Sequence, residues 1–149
     1  RVLERDKRIK VLLAGPNDKA NVIIKLNRFI NEGRAIVLGV VDVNITGHCL
    51  NLGLDTFPLH GGYSVLELMA KDIPVITKKD EDLVSYIAQR LPDTTRAEEA
   101  EMESLIIELV NNAGLLEIYR KKTSEFMSSQ DQSKTFLEAL DNRINNLNS

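Results

Sequence analysis

Between Asp55 and Thr77 the chain reads, without a break, as a strand, a glycine turn, an amphipathic helix and a second strand. A short apolar run ends at Phe57-Pro58, and Leu59-His60-Gly61-Gly62-Tyr63 follows. Val65, Leu66, Leu68 and Met69 then recur at helical spacing, and Pro74-Val75-Ile76 opens the next strand. This unit constrains the fold more than any other feature, because a helix packed between two strands makes them parallel members of one sheet. Backbone amides at the start of such a helix lack intrahelical partners and point at the turn, so the turn is a candidate anion site. The glycines would let a phosphate approach the backbone closely.

The preceding residues repeat the alternation. Ile9 to Ala14 is nearly all apolar and closes at Gly15-Pro16-Asn17-Asp18, as a buried parallel strand with a loop at its carboxyl end does. Val22, Ile23, Leu26, Phe29 and Ile30 predict a helix that Gly33 stops. Ala35 to Val43 is a second strand, Asn44 caps a short helix running to about Leu52, Leu54 to Phe57 is a third strand, and Ile73 to Thr77 is a fourth. The fold class is therefore α/β, a Rossmann-like parallel sheet with crossover helices, in which ligands bind at the carboxyl ends of the strands.

From Asp80 the pattern becomes helical, with helices over Leu83 to Leu91, Leu105 to Val110, Leu115 to Met127 and Ser133 to Leu147. The expected organisation is one domain over 1–149, with an α/β core to 91 and a mostly helical part from 92. Pro92-Asp93-Thr94-Thr95 reads as a hinge, Ser128 to Ser133 as a loop, Glu98 to Glu103 as a mostly solvated acidic face, and the charged residues 1 to 8 as a solvated lead-in or a helix end severed from a missing partner.

A length of 149 residues with 43% hydrophobic content suffices for one real core. The formal charge of -3 gives no reason to expect nucleic acid or an anionic membrane as partner. The single Cys49 cannot form an internal disulfide and reads as a small buried apolar residue in a reducing, cytoplasmic setting. No metal-ligand cluster or apolar run long enough to span a bilayer occurs. The chain starts at Arg1 rather than Met, and is read as a piece of something longer.

The run from Phe57 to Glu67, followed by Ala70-Lys-Asp-Ile-Pro74-Val75-Ile76-Thr77, resembles the donor half of GT-B glycosyltransferases. More loosely the resemblance extends from Ile9 to about Met127, with Gly15 and Gly39 where such domains have glycines. The resemblance implies that amides near Gly61, Gly62, Tyr63 and Ser64 bind the diphosphate of a nucleotide sugar, UDP- or GDP-linked, with no separate cofactor. It implies that Glu67 accepts hydrogen bonds from the ribose hydroxyls and that His60 donates to a phosphate oxygen or orients the sugar. Backbone from Gly39 to Val41 would face the base, Gly15 would line the site, and Lys78 with Lys79 would oppose charge on the leaving diphosphate. No residue is assigned as the catalytic base, because the family carries acceptor site and base on a preceding domain. That N-terminal domain is expected in cis or as a separate subunit, and any peripheral membrane contact would come through it. Retaining members carry two glutamates flanking the glycine loop; the place near Leu59-His60 has none, so the pattern lies closer to inverting members.

Plainer readings compete. Ser64-Val-Leu-Glu67 is also a capping box that would satisfy the helix's own amides and bind nothing. His48 reads as structural, Gly15-Pro16-Asn17 as a turn, and Asn44-Ile-Thr46 as an accidental glycosylation pattern. Tyr119, Phe126 and Phe136 read as core. A signalling receiver domain shares the fold, with Asp18 and Asp55 as its acidic residues, but it needs paired carboxylates after strand one, and Asp55 reads as lying before the apolar end of its strand. A sugar-nucleotide epimerase shares the glycine turn, and a non-catalytic binding domain shares the fold.

Overall fold

The computed structural model describes residues 1–15, 19–56, 61–79, 94–96 and 98–129. Six helices and five strands follow one another among them: α1 (Val2–Arg5), β1 (Val11–Ala14), α2 (Lys19–Asn31), β2 (Ala35–Gly39), α3 (Val43–Thr46), β3 (Gly53–Leu54), α4 (Tyr63–Met69), β4 (Val75–Lys78), β5 (Thr95–Arg96), α5 (Glu99–Asn111) and α6 (Ala113–Ser129). A single 3₁₀ turn over Gly47–Cys49 follows α3.

Every strand pairing is parallel. β1 lies beside β2 with Val11 opposite Ala35, and β4 lies between β3 and β5. Both ladders are packed into one core, in which Ile76 of β4 meets Ile9, Phe29 and Ala35 from the first half, Leu105, Ile106 and Leu109 of α5, and Leu3 of α1. Burying a side chain as fully as Ile76, at 0% exposure, stabilises by roughly 1.5–3 kcal/mol. A second cluster joins Val65 and Met69 of α4 to Val75, with Phe126 and Met127 of α6 against it. Tyr119 and Phe126, read as core, are half-buried and pack against the first and second cluster respectively. The expected Rossmann-like α/β class, with crossover helices and a helical second half, is the fold found.

Several boundaries differ from expectation for identifiable reasons. β2 stops at Gly39 rather than Val43, because Gly39 has a φ of 75°. The side chain that caps α3 is Asp42, accepting from the Asn44 N–H at 2.8 Å, and not Asn44. Of the expected hinge, Thr95 joins Arg96 in a fifth strand at the edge of β4, and Thr94 is buried beside it. Cys49 is exposed rather than buried, since the 3₁₀ turn buries Gly47 instead.

Residues 1 to 8 carry the short helix α1 and are neither a solvated lead-in nor a helix end without its partner, because α1 packs against α5. Leu3 is 5% exposed. Arg5 pairs with Glu103 of α5 at 3.0 Å, and the Arg8 guanidinium bonds both Asp6 and Asn111. Glu103 therefore leaves the predicted acidic face, and Glu98 with Glu101 forms the capping box of α5. The predicted helices over Leu83 to Leu91 and Ser133 to Leu147 lie outside the described residues, as do Phe57, Pro92, Asp93 and Phe136. Among the described residues no helix is long and apolar enough to cross a membrane.

Candidate functional site

The site is assembled where β3 and β4 end. Asp55 is the first residue past β3, and its N–H donates to the Ile76 carbonyl oxygen at 2.9 Å, one step beyond the ladder. Its carboxylate turns back under the glycine turn. Oδ1 accepts from the Thr56 N–H at 2.9 Å and the Gly61 N–H at 2.7 Å, and Oδ2 accepts from the Thr77 hydroxyl at 3.1 Å. Asp55 is 9% exposed and Thr77 0%. A carboxylate so placed is tolerable only because donors meet both oxygens. Since β3 ends at Leu54 rather than Phe57, Asp55 stands at the strand's carboxyl end and not ahead of it.

The turn itself divides into a packed half and an open half. A Cβ on Gly61 would come within 3.0 Å of Val65 Cγ2 and 3.3 Å of Asp55 Oδ1, so this residue is fitted between the helix and the carboxylate. Gly62 has φ 55° and ψ -122°, a conformation that side chains avoid, yet a Cβ there would meet nothing within 4 Å. The conformation demands glycine, and the space beside it is open.

Gly62 is also the N-cap of α4, and no side chain caps it. Ser64, the second helical residue, instead donates its hydroxyl to the Gly61 carbonyl oxygen at 2.6 Å. The Ser64–Glu67 capping box therefore does not form: the helix begins one residue before Ser64, and Glu67 stands more than a turn inside it. The Glu67 carboxylate is half-buried and has no hydrogen-bond partner among the described residues, while its carbonyl oxygen accepts from Lys71 Nζ at 3.2 Å. The amides of Gly62 and Tyr63 also lack partners among the described residues. A helix of seven residues has a small macrodipole, so these local N–H groups are what the turn can offer an anion.

The remaining predicted positions fall into two groups. Lys78 ends β4 at the same edge as Asp55, half-buried, with Lys79 exposed next to it. Gly15 and Gly39 are brought together at the ends of β1 and β2, with the Gly15 N–H 2.7 Å from the Gly39 carbonyl oxygen, and Val41 follows half-buried before Asp42. Tyr63 is 85% exposed. His60 and the Pro16-Asn17-Asp18 segment lie outside the described residues. His48 is exposed on its 3₁₀ turn, beside a cavity of about 720 Å³ between that turn, the Lys71-Asp72 corner and α6. Among the described residues no cluster of His, Cys, Asp or Glu could hold a metal ion.

Sequence reasoning missed the Asp55–Thr77 pair. The signal was available in the parallel register, which sets Leu54 beside Ile76 and so carries the next residue of each strand, Asp55 and Thr77, to the same edge.

No family model matches the chain, and no curated protein sequence does. Among solved structures, a mutant of the O-GlcNAc transferase of Thermobaculum terrenum superposes with a TM-score of 0.72 at 18% identity, over 95% of this chain and 31% of that one. The chain thus spans about a third of that structure's length, and at this identity the likeness is one of fold: the α/β architecture described above is GT-B-like.

Proposed function

We propose that the chain is the part of a glycosyltransferase that binds a nucleotide-sugar donor, UDP- or GDP-linked, with the acceptor held by a second domain in cis or by a separate subunit. The observation that carries this reading is the open half of the glycine turn at the carboxyl end of parallel strands, where the amides of Gly62 and Tyr63 have no partner among the described residues and a Cβ on Gly62 would meet nothing within 4 Å. The fold likeness to a glycosyltransferase supports it.

In this reading the two amides take diphosphate oxygens, and the unpaired Glu67 carboxylate accepts the ribose hydroxyls. Lys78 and Lys79 offset the negative charge that grows on the diphosphate as the sugar leaves, a stabilisation worth most in the transition state. His60 contributes a donor to a phosphate oxygen or orients the sugar. Gly15 and the backbone from Gly39 to Val41 face the base.

Titrating the 149-residue chain with UDP, GDP and their sugars by calorimetry tests the proposal. One nucleotide is expected to bind with a Kd below about 1 mM, a level that a few charge-assisted hydrogen bonds can supply. Absence of heat with every nucleotide at that concentration overturns it. The receiver reading has a separate check: a small phosphodonor should leave Asp55 unmodified, because its oxygens are occupied by Thr56, Gly61 and Thr77.

A further inference from the structure

We infer that Asp55 is a positioning residue, whose carboxylate sets the orientation of the Gly61–Gly62 turn and so aims the Gly62 and Tyr63 amides at the ligand space. The inference rests on the nucleotide-binding reading for its consequence, though not for its geometry. A turn that begins a helix is commonly held by the helix's own cap, and here that device is missing. Gly62 has no side chain, and the Ser64 hydroxyl is spent on the Gly61 carbonyl. The described bond that ties the amide side of the turn to the sheet is Gly61 N–H to Asp55 Oδ1, at 2.7 Å.

Asp55 is in turn fixed from below. Its other oxygen is held by Thr77, a residue with 0% exposure whose own N–H donates to the Thr94 carbonyl at 3.1 Å. A connected path therefore runs from Thr94, the residue before β5, through Thr77 and Asp55 to the turn. It engages the Gly61 N–H, while the next two amides are left without a partner among the described residues. The carboxylate also has a cost, because a negative charge under an anion site repels the ligand. Retaining the geometry while removing the charge should therefore be harmless to binding, whereas removing the acceptor should not.

Three variants separate positioning from plain stability: D55N, D55A and T77V. In D55N the side-chain carbonyl still accepts from Gly61 and Thr56, and its NH₂ can face the Thr77 hydroxyl, which can donate to the Lys78 carbonyl 3.4 Å away. We expect the Gly61 amide to exchange slowly with solvent in wild type and D55N, and at least about tenfold faster in D55A, the change that loss of one charge-assisted bond brings. Met69 and Ile76 amides should keep their protection. UDP or GDP affinity should fall about tenfold in D55A and be equal or better in D55N. T77V, which alters only the support of Oδ2, should show the same local exchange at Gly61 to a smaller degree, and it serves should D55A fail to fold.

Exchange that rises uniformly across the chain in these variants, or a Gly61 amide that stays protected in D55A, overturns the inference. Unchanged nucleotide affinity in D55A with Gly61 exchange accelerated also overturns it, since the turn would then move without consequence. A wild-type chain that binds no nucleotide defeats the proposed function instead, and the Gly61 exchange pattern still decides whether Asp55 holds the turn.

Discussion

The N–H of Gly15 donates to the carbonyl oxygen of Gly39 at 2.7 Å, joining β1 to β2 at the point where both strands end. Both residues have positive φ, 126° and 75°, and the pairing register shifts just before them, where Ala14 rather than Gly15 faces Gly39. Only glycine adopts these angles without strain, so G39A should lower stability by about 1–2 kcal/mol, the cost of a left-handed residue. Urea denaturation measures it. An unchanged midpoint would mean that the ends of these strands are free to rearrange.

The two glycines of the central turn should fail differently. In G62A the added Cβ meets no atom, so the loss is conformational, about 1–3 kcal/mol, and the outward amides rotate away. Nucleotide affinity should drop with it. In G61A the backbone angle is no obstacle, and the loss comes from packing instead, as the Cβ presses on Val65 Cγ2 and the Asp55 carboxylate and lowers the melting temperature. Comparing thermal melts with titrations for the two variants checks the two causes.

Glu67 separates the ligand reading from the capping reading. Because the helix starts at Tyr63 and the Glu67 carboxylate has no described partner, E67A should cost less than about 0.5 kcal/mol, where loss of a true cap would cost about 1. UDP or GDP affinity should fall about tenfold, the loss of a charged hydrogen-bond acceptor. A stability loss with unaltered affinity would return Glu67 to a structural role.

How much of this was legible depends on how many residues voted for each element. The strand–turn–helix–strand unit around Gly61-Gly62 was read correctly because its period changes from two to helical spacing across a run of apolar positions. The strand ends were not, because single residues decide them: Gly39 stops β2 by its backbone angle, and Asp55 leaves β3 by folding its side chain beneath the turn. β5 is two residues long and lies in a Thr-rich stretch that composition marks as a turn. α1 was hidden for another reason, since one buried leucine among charges carries little periodic signal, and its docking depends on partners about 100 residues apart in sequence, the Arg5–Glu103 ion pair and the Arg8–Asn111 hydrogen bond. At the site, residue types were legible while their partners were not. Nothing in Ser-Val-Leu-Glu says that the serine would turn to Gly61, and nothing in Leu-Asp-Thr says that the aspartate would hold an amide six residues on.

Acid should act through Asp6. The Arg8 guanidinium, bonded to its side chain, and the Arg8 amide hold the Asp6 carboxyl down at about 2, from an ordinary 3.8. A carboxylate whose folded value is depressed contributes stability that is complete above the unfolded value and disappears as pH falls through the folded one. The loss should therefore run from about pH 4 down to about 2, and D6N should remove that part of the pH dependence while lowering stability at pH 7. Denaturation midpoints across this range, with wild type and D6N side by side, check both the sign and the window. Glu32 is shifted the same way by Arg28 and Arg34, so some acid sensitivity should remain in D6N.

Arg34 makes the sharpest prediction about how the amino-terminal segment is held. Its side chain is 11% exposed, and one nitrogen, Nη2, donates to the carbonyl oxygens of Leu3 and Asp6, each at 2.6 Å. Nε reaches the Ile9 carbonyl at 3.3 Å, Nη1 pairs with Glu32 at 3.3 Å, and the plane lies 5.5 Å over the Phe29 ring. The first two carbonyls belong to α1 and the residue after it, where a short helix leaves acceptors unpaired. A lysine has one nitrogen with three donors and cannot reach all of these in a plane, so R34K should lose most of the effect. We expect R34A to destabilise by about 2–3 kcal/mol and R34K by at least 1, since charged hydrogen bonds to partly buried carbonyls are worth about 1.5–3 each when a partner is removed. The loss should be local first: cleavage by a nonspecific protease near Lys7-Arg8 should speed up in both variants before α5 and α6 become susceptible. Equal cleavage of wild type and R34A near Lys7 would show that Leu3, the Arg5–Glu103 ion pair and the Arg8–Asn111 hydrogen bond dock α1 without this clamp.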